Sequence, residues 1–368
     1  MTLFTRLGTA GLTLALAGLM LAPAAAQDGG TITVQAGDIA VGGLAWSEQT
    51  GLLVGSRQGD SIYTVGADGA LTPFIQDDAL TGVAVMTADP VTNRLYVVNS
   101  SGGPGAFDPS QMQLPEGFDP SQFQLPEGFD PSQFQPGQLP EGFPTPEGGM
   151  PDMSQLMDQM GSASIGLLVY DLASGQQVLS VDLTGAASGA ASLATGIAVD
   201  ASGNAYITDG LASAVYRVDT AGGIAVLTDS QFTSEGIGLV GLAALPGDTL
   251  LLAKADGSLY VIRLSDPSNV QPVSLSAAPS SISAITALAD GRVVTLDAAS
   301  ATVTAWTSAD SWATAQAGST AAVPQGASVM TTDGVSAYVM QGLGGGMMGA
   351  LLSDDAAAPA TTITAVGL

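Results

Sequence analysis

The sequence contains no cysteine and no histidine. The first absence excludes a thiolate nucleophile, a disulfide framework, an iron–sulfur cluster and a cysteine zinc site. The second excludes a Ser/His/Asp triad, an imidazole general base and a His-ligated zinc. Cations are almost as scarce: 7 Lys and Arg stand against 33 Asp and Glu, a formal net charge of −26. Binding to nucleic acid needs clustered cations, so that class of partner is excluded. Charged residues reach only 11% of the chain, and the excess acid reads as solubility rather than as a field aimed at a substrate. Any chemistry must therefore use carboxylates, amides, hydroxyls, one Lys and six Arg.

The one long apolar run is at the start. Arg6 precedes an apolar stretch from Leu7 to Leu21, and Ala24-Ala25-Ala26 offers a small-x-small cleavage site. Residues 1–26 thus read as a secretory signal, too short for a comfortable membrane span, and the mature chain is expected in the periplasm or outside the cell. No later segment is apolar enough to span a bilayer. Without disulfides the mature protein must be held by its core, and it is expected to be a monomer.

Short runs of β-branched and aromatic residues, bounded by Gly, Asp, Asn and Ser, recur along the chain. The clearest unit holds Thr195-Gly196-Ile197-Ala198-Val199-Asp200, then Gly203-Asn204-Ala205-Tyr206-Ile207-Thr208-Asp209, then Ala214-Val215-Tyr216-Arg217-Val218-Asp219. These are strand-and-hairpin signatures, and a run from Gly223 to Thr228 supplies a fourth strand. The second strand of each unit ends at Arg57, Asn99, Asp209, Lys254, Asp297 and Gln341, about 44 residues apart once an odd segment, 102–163, is set aside. Six such units predict an all-β fold, a six-bladed β-propeller of four-stranded antiparallel blades. Their expected spans are 37–77, 78–183, 190–229, 235–276, 281–318 and 325–368. Both Thr31–Ala36 and Thr361–Val366 look like an outermost fourth strand, so one terminus should lock the ring with the other alongside it.

The segment 102–163 is a low-complexity insert in blade two. Phe-Asp-Pro-Ser-Gln begins at Phe107, Phe118 and Phe129, and the segment holds 11 of the 20 Pro and 6 of the 9 Phe. That is too much proline to pack as a domain, yet unusually apolar for a linker. A loop without a role and a sticky arm or lid are both open readings. It leaves the blade beside the second-strand ends, as does the Met-bearing loop Gly342–Gly349, so the pair suggests a cover or an adaptable contact surface. Trp46, Trp306 and Trp312 are expected in blade cores. Gly344-Gly345-Gly346 lacks the strand-to-helix context of a phosphate loop.

Loops joining second to third strands share one rim of a propeller's channel, so the six second-strand ends should form a polar ring there. Two readings of the ring Arg57, Asn99, Asp209, Lys254, Asp297 and Gln341 stay open. One is ion pairing between neighbouring blades, with Lys254 between Asp209 and Asp297. The other is a funnel for a small molecule or protein, with Arg57 and Lys254 holding an anionic or carbonyl group. A cation site from Asp209, Asp297 and Asn99, with calcium the default, is a variant of the second.

The unit from Thr195 to Asp219 resembles an NHL repeat and the blades of the SMP-30/gluconolactonase/LRE-like family. That resemblance implies a six-bladed propeller and, in the second family, a divalent-cation-dependent lactone hydrolase. The family's metal-ligand Asp falls on Asp209. Its Glu falls on Gly42, ahead of Gly43-Leu44-Ala45-Trp46, and its Asn on Thr81 or Thr195; the remaining first-strand entrances are Val240, Ser283 and Ala327. Only the Asp is kept. The expectation is therefore a non-catalytic ligand- or protein-binding module acting through the ring rim, with the cation-dependent lactone or ester hydrolase as the alternative.

Overall fold

Turn residues at regular intervals cut the chain into strands too short to bury themselves, and packing sheet against sheet resolves this. The computed structural model describes residues 30–37, 39–101, 164–187, 192–234, 237–341 and 360–368. The signal sequence, the 11-residue repeats and the loop Gly342–Gly349 lie outside them.

Among the described residues, twenty-five strands form six sheets. The first contains β2 (Val41–Ser47), β3 (Gly51–Ser56), β4 (Ser61–Val65) and β5 (Leu71–Gln76). The second contains β6 (Val83–Asp89), β7 (Arg94–Ser101), β8 (Ser164–Asp171) and β9 (Gln177–Asp182). The third contains β10 (Ala194–Val199), β11 (Ala205–Asp209), β12 (Ala214–Val218) and β13 (Ile224–Thr228). The fourth contains β14 (Leu239–Leu245), β15 (Thr249–Lys254), β16 (Leu259–Arg263) and β17 (Asp266–Pro272). The fifth contains β19 (Ala284–Ala287), β20 (Val293–Asp297), β21 (Thr302–Thr307) and β22 (Thr314–Ala322), with β18 (Ser274–Leu275) added parallel to β22. The sixth contains β23 (Ala327–Thr332), β24 (Ala337–Gln341), β25 (Thr362–Val366) and, from the other end of the chain, β1 (Thr31–Thr33).

Apart from the added β18, the strands of each sheet pair antiparallel, and the first strands touch in a closed circuit, β2, β6, β10, β14, β19, β23 and back to β2. The molecule is a six-bladed β-propeller. Its second strands are apolar on both faces because each lies between two neighbouring sheets. On β15, Leu250 and Leu252 pack with Tyr206 and Val215 of the third sheet, while Leu251 and Ala253 pack with Ile285 and Trp306 of the fifth. Continuous apolar runs such as Leu250-Leu251-Leu252 follow from that two-sided burial.

The termini close the ring in one specific way. β25 pairs with β24 on one side and β1 on the other, so the C-terminal segment is a third strand and only the N-terminal one is outermost. Burial explains the choice: Ile363, Ala365 and Val366 are buried, whereas Thr31 and Thr33 are exposed, as an edge requires. Val34 anchors the closure, donating its N–H to the Thr361 carbonyl (2.8 Å) and packing beside Val41, Val54 and Ile363. Trp306 and Trp312 are core residues, as expected; Trp46 is only half-buried and stands at the end of the channel.

Candidate functional site

The strand registers bring all six second-strand ends to one end of the axial channel. Asn99 pairs with Val83, Asp209 with Ala194, Lys254 with Leu239 and Gln341 with Ala327, while Asp297 closes β20 and Arg57 follows β3. Their side chains do not point at a common ligand. Asp209 is fully buried; its Oδ1 accepts the N–H groups of Leu193, Leu211 and Ala212 (3.0, 3.1 and 2.9 Å), and its Oδ2 accepts the Tyr216 hydroxyl (3.0 Å). Burial, then the Asp209 charge, pushes that phenol up to about 12. Asp297 takes the hydroxyls of Ser280 and Ser281 (2.6 and 2.8 Å) and the N–H groups of Ala299 and Ser300 (3.0 and 3.1 Å). Desolvation pulls its carboxyl up, but those hydrogen bonds outweigh it and hold the pKa well below the usual carboxylate range.

Asn99 accepts the N–H groups of Thr81 and Gly82 and donates to the Ala79 carbonyl. Lys254 donates to the Thr233 carbonyl (3.2 Å) and pairs with Asp256 (3.4 Å), two residues along its own turn. Gln341 donates to the Gln325 carbonyl and accepts from Thr362. In five of the six sheets the position thus does one job: it ties the end of the second strand to the segment entering the first strand. The expected ion pairing of Lys254 with Asp209 and Asp297 is replaced by local contacts, because both aspartates already have a full set of donors. Arg57 alone reaches its incoming segment only through its backbone, donating to the Ala40 carbonyl (2.7 Å).

Calcium does not fit this end. The carboxylates of Asp209 and Asp297 and the amide of Asn99 spend their lone pairs on the protein's own donors. A Cβ on Gly42 would lie 2.3 Å from the Val83 carbonyl oxygen and 2.8 Å from the Arg57 Cγ, so the place of the family's Glu is filled by backbone and by Arg57. Five of the six first strands enter with a bulge, which re-aims one residue. The skipped positions include Ala84, Thr195, Val240 and Ser328, so the structural counterparts of Thr81 and Ala327 are Ala84 and Ser328. Thr195, Val240, Ser283 and Ser328 line a small axial cavity of about 80 Å³ with no carboxylate in its wall. A hard divalent cation needs charged oxygen ligands, and uncharged hydroxyls are a poor substitute. Among the described residues no cluster of three or more acidic side chains is arranged to hold a metal.

The opposite end is different. The first strands diverge into a bowl of about 720 Å³, walled by their C-terminal ends and the hairpins that follow. Trp46, Met86, Ile197, Leu242 and Met330 supply apolar surface, and Gln49, Thr87, Asn93 and Thr332 supply polar groups. Three carboxylates line it. Asp89 accepts from Val91, Thr92 and the Thr92 hydroxyl, and Asp333 from Val335, Ser336 and the Tyr338 hydroxyl. Both are turn-forming aspartates folded back on their own backbone. In the first sheet Ser47 takes that role, accepting from Gln49 N–H (3.1 Å). The next residue, Glu48, is exposed and its carboxylate has no hydrogen bond among the described residues. Glu48 lies outside the ring of second-strand ends, but the sequence carries a signal for it: it is the one glutamate among the described residues, at a hairpin where others use Asp.

No protein-family model and no curated protein sequence matches the chain. Solved structures do match it in fold. A gluconolactonase from Xanthomonas campestris is 14% identical, covering 92% of this chain and 90% of that one at a TM-score of 0.50. A structure named as a candidate gluconolactonase is 11% identical, covering 92% and 94% at 0.51. A virginiamycin B lyase from Staphylococcus aureus is 13% identical, covering 93% and 99% at 0.49. The fold is a six-bladed propeller resembling the gluconolactonase and SMP-30 type. The expected non-catalytic module gripping a ligand or protein through the ring rim is corrected here. The structures sharing the fold at 0.50 and 0.51 carry an enzyme's name, and five of the six ring side chains are consumed inside the protein.

Proposed function

We propose that the protein is a hydrolase of small lactones or related esters, working in the bowl with Glu48 as general base. The carrying observation is that Glu48 is the one carboxylate of the bowl not committed to a turn. The resemblance in fold to gluconolactonases points to the same substrate class. A glutamate one methylene longer than Asp does not settle into the tight side-chain turn that occupies Asp89 and Asp333, so its oxygens remain available to water.

The proposed step needs no cofactor. Water gives a proton to the Glu48 carboxylate as its oxygen bonds to the lactone carbonyl carbon. The ring C–O bond then breaks, and the departing alkoxide takes the proton back from Glu48, leaving a hydroxy acid. The side-chain amides of Gln49 and Asn93, both in the bowl wall, offer N–H donors to the carbonyl oxygen as it gains charge. Trp46 supplies a flat apolar surface for the ring. We place the enzyme outside the cytoplasm on the strength of Arg6, the Leu7–Leu21 run and Ala24–Ala26. The insert 102–163 belongs, on this reading, to the second sheet between β7 and β8. No described helix is long and apolar enough to cross a membrane.

The test is hydrolysis of five- and six-membered lactones followed by proton release, with and without chelator. Turnover that survives chelation and is lost in Glu48→Gln supports the proposal. Undiminished turnover in Glu48→Gln, or none in the wild type, refutes it. Loss on chelation would replace Glu48 by a bound cation as the activating group.

A further inference from the structure

The bases of an acidic protein should find acids easily, yet among the described residues only two form ion pairs. Lys254 pairs with Asp256, and Arg292 with Asp290. Arg263 donates to Thr249 and to the Ser311 carbonyl. Arg217 and Arg94 form no ion pair, and act on Asp219 and Asp171 through their charge at longer range. Arg57 has less still: among the described residues its guanidinium has no ion pair, no hydrogen-bond acceptor and no charged partner, and burial lowers its pKa below the ordinary value. Asp60, three residues on, accepts from the Ser61 hydroxyl instead (2.7 Å).

The surroundings hold that side chain at the ring end of the channel. Its stem runs over Gly42, where a Cβ would meet it at 2.8 Å, and its carbonyl lies against Gly82 in the seam between the first and second sheets. A side chain at position 42 would clash with the Val83 carbonyl and with the Arg57 stem alike, so Gly42 leaves the room in which the stem lies. An arginine partly removed from water with five donors unused is costly unless something accepts them.

We propose that Arg57 is an anion-binding site, in which the guanidinium takes a small oxyanion, the carboxylate of an organic acid or a phosphate group. Either presents the paired oxygens that match the planar fork. The site lies at the far end of the channel from the bowl and does not rest on the hydrolase reading.

Thermal unfolding of the full chain tests it, with chloride replaced at constant ionic strength by succinate or by inorganic phosphate. A saturable rise in Tm on the order of 2–4 °C is expected with at least one of them, and which one identifies the group. Arg57→Met should abolish the rise while melting no lower than wild type in chloride, because it removes an unpaired cation. Arg57→Lys, which keeps the charge and loses the fork, should show a smaller rise. The proposal is overturned by no rise with either anion, by a rise that persists in Arg57→Met, or by Arg57→Met melting several degrees lower in chloride. Calorimetric titration of the wild type gives an independent reading, and the absence of a saturable heat with both anions also overturns it.

Discussion

The two ends of the axial channel are made from the same six first strands and differ in how their polar side chains are used. At the end where the first strands begin, Asn99, Asp209, Lys254, Asp297 and Gln341 are turned into the protein to fasten each incoming segment. At the other end the strands splay, the hairpins stand in solvent, and Glu48 is left uncommitted above an apolar floor. Polar residues recurring in register are therefore not by themselves a site. A repeated fold demands repeated fasteners, and a recurrent position is first of all a recurrent mechanical need. The informative positions are those that break the repeat: Arg57 at one end, Glu48 at the other.

This contrast predicts unequal responses to substitution. Asp209→Ala should cost about 3–5 kcal/mol in urea unfolding, because three N–H groups and a buried phenol lose their acceptor together. A loss below 1 kcal/mol would mean that the ring is not a set of fasteners. Glu48→Gln should cut lactone hydrolysis by about 100-fold or more with Tm unchanged; equal losses of activity and stability would erase the distinction between the ends.

Acid should weaken the fastening made by Asp297. The carboxyl of Asp297 has a folded pKa depressed below its unfolded value near 3.9, so its contribution is complete above that value and is lost as pH falls toward the folded pKa. Stability measured between about pH 5 and pH 2 should fall less steeply in Asp297→Asn than in wild type. The smallest effect is expected from Trp46→Ala, roughly a 5-fold rise in KM with kcat little changed, since the side chain offers surface rather than chemistry. Calcium at millimolar concentration should move Tm by less than about 1 °C, and a saturable larger shift would locate a cation site outside the ring.

Much of the architecture was legible in residues. The alternation of Ile197, Val199, Tyr206 and Tyr216 with turn residues, repeated about every 44 positions, specifies blades and their number. The order of termini in the closing sheet was not legible, because Thr31–Thr33 and Thr362–Val366 are both β-rich and differ only in which can tolerate an exposed edge. The bulges were missed for a related reason. Slipping one residue moves Ser328 rather than Ala327 to the axis, and composition cannot register a slip. Glu48 was visible as an oddity but had no meaning until the bowl gave it a position.

What the sequence determined alone is the list of possible chemistries and the repeating unit: without His or Cys, catalysis has only carboxylates, hydroxyls, amides and a few Lys and Arg side chains to use, and short alternating strands of fixed spacing bury themselves by radial stacking. What the tertiary structure decided is direction. An aspartate at a strand end can face a ligand or a loop, and the choice depends on whether N–H groups from a distant segment arrive within reach. For Asp209 and Asp297 they do. For Glu48 and Arg57 they do not, and this difference in unmet hydrogen bonding is set by contacts that no local stretch of sequence contains.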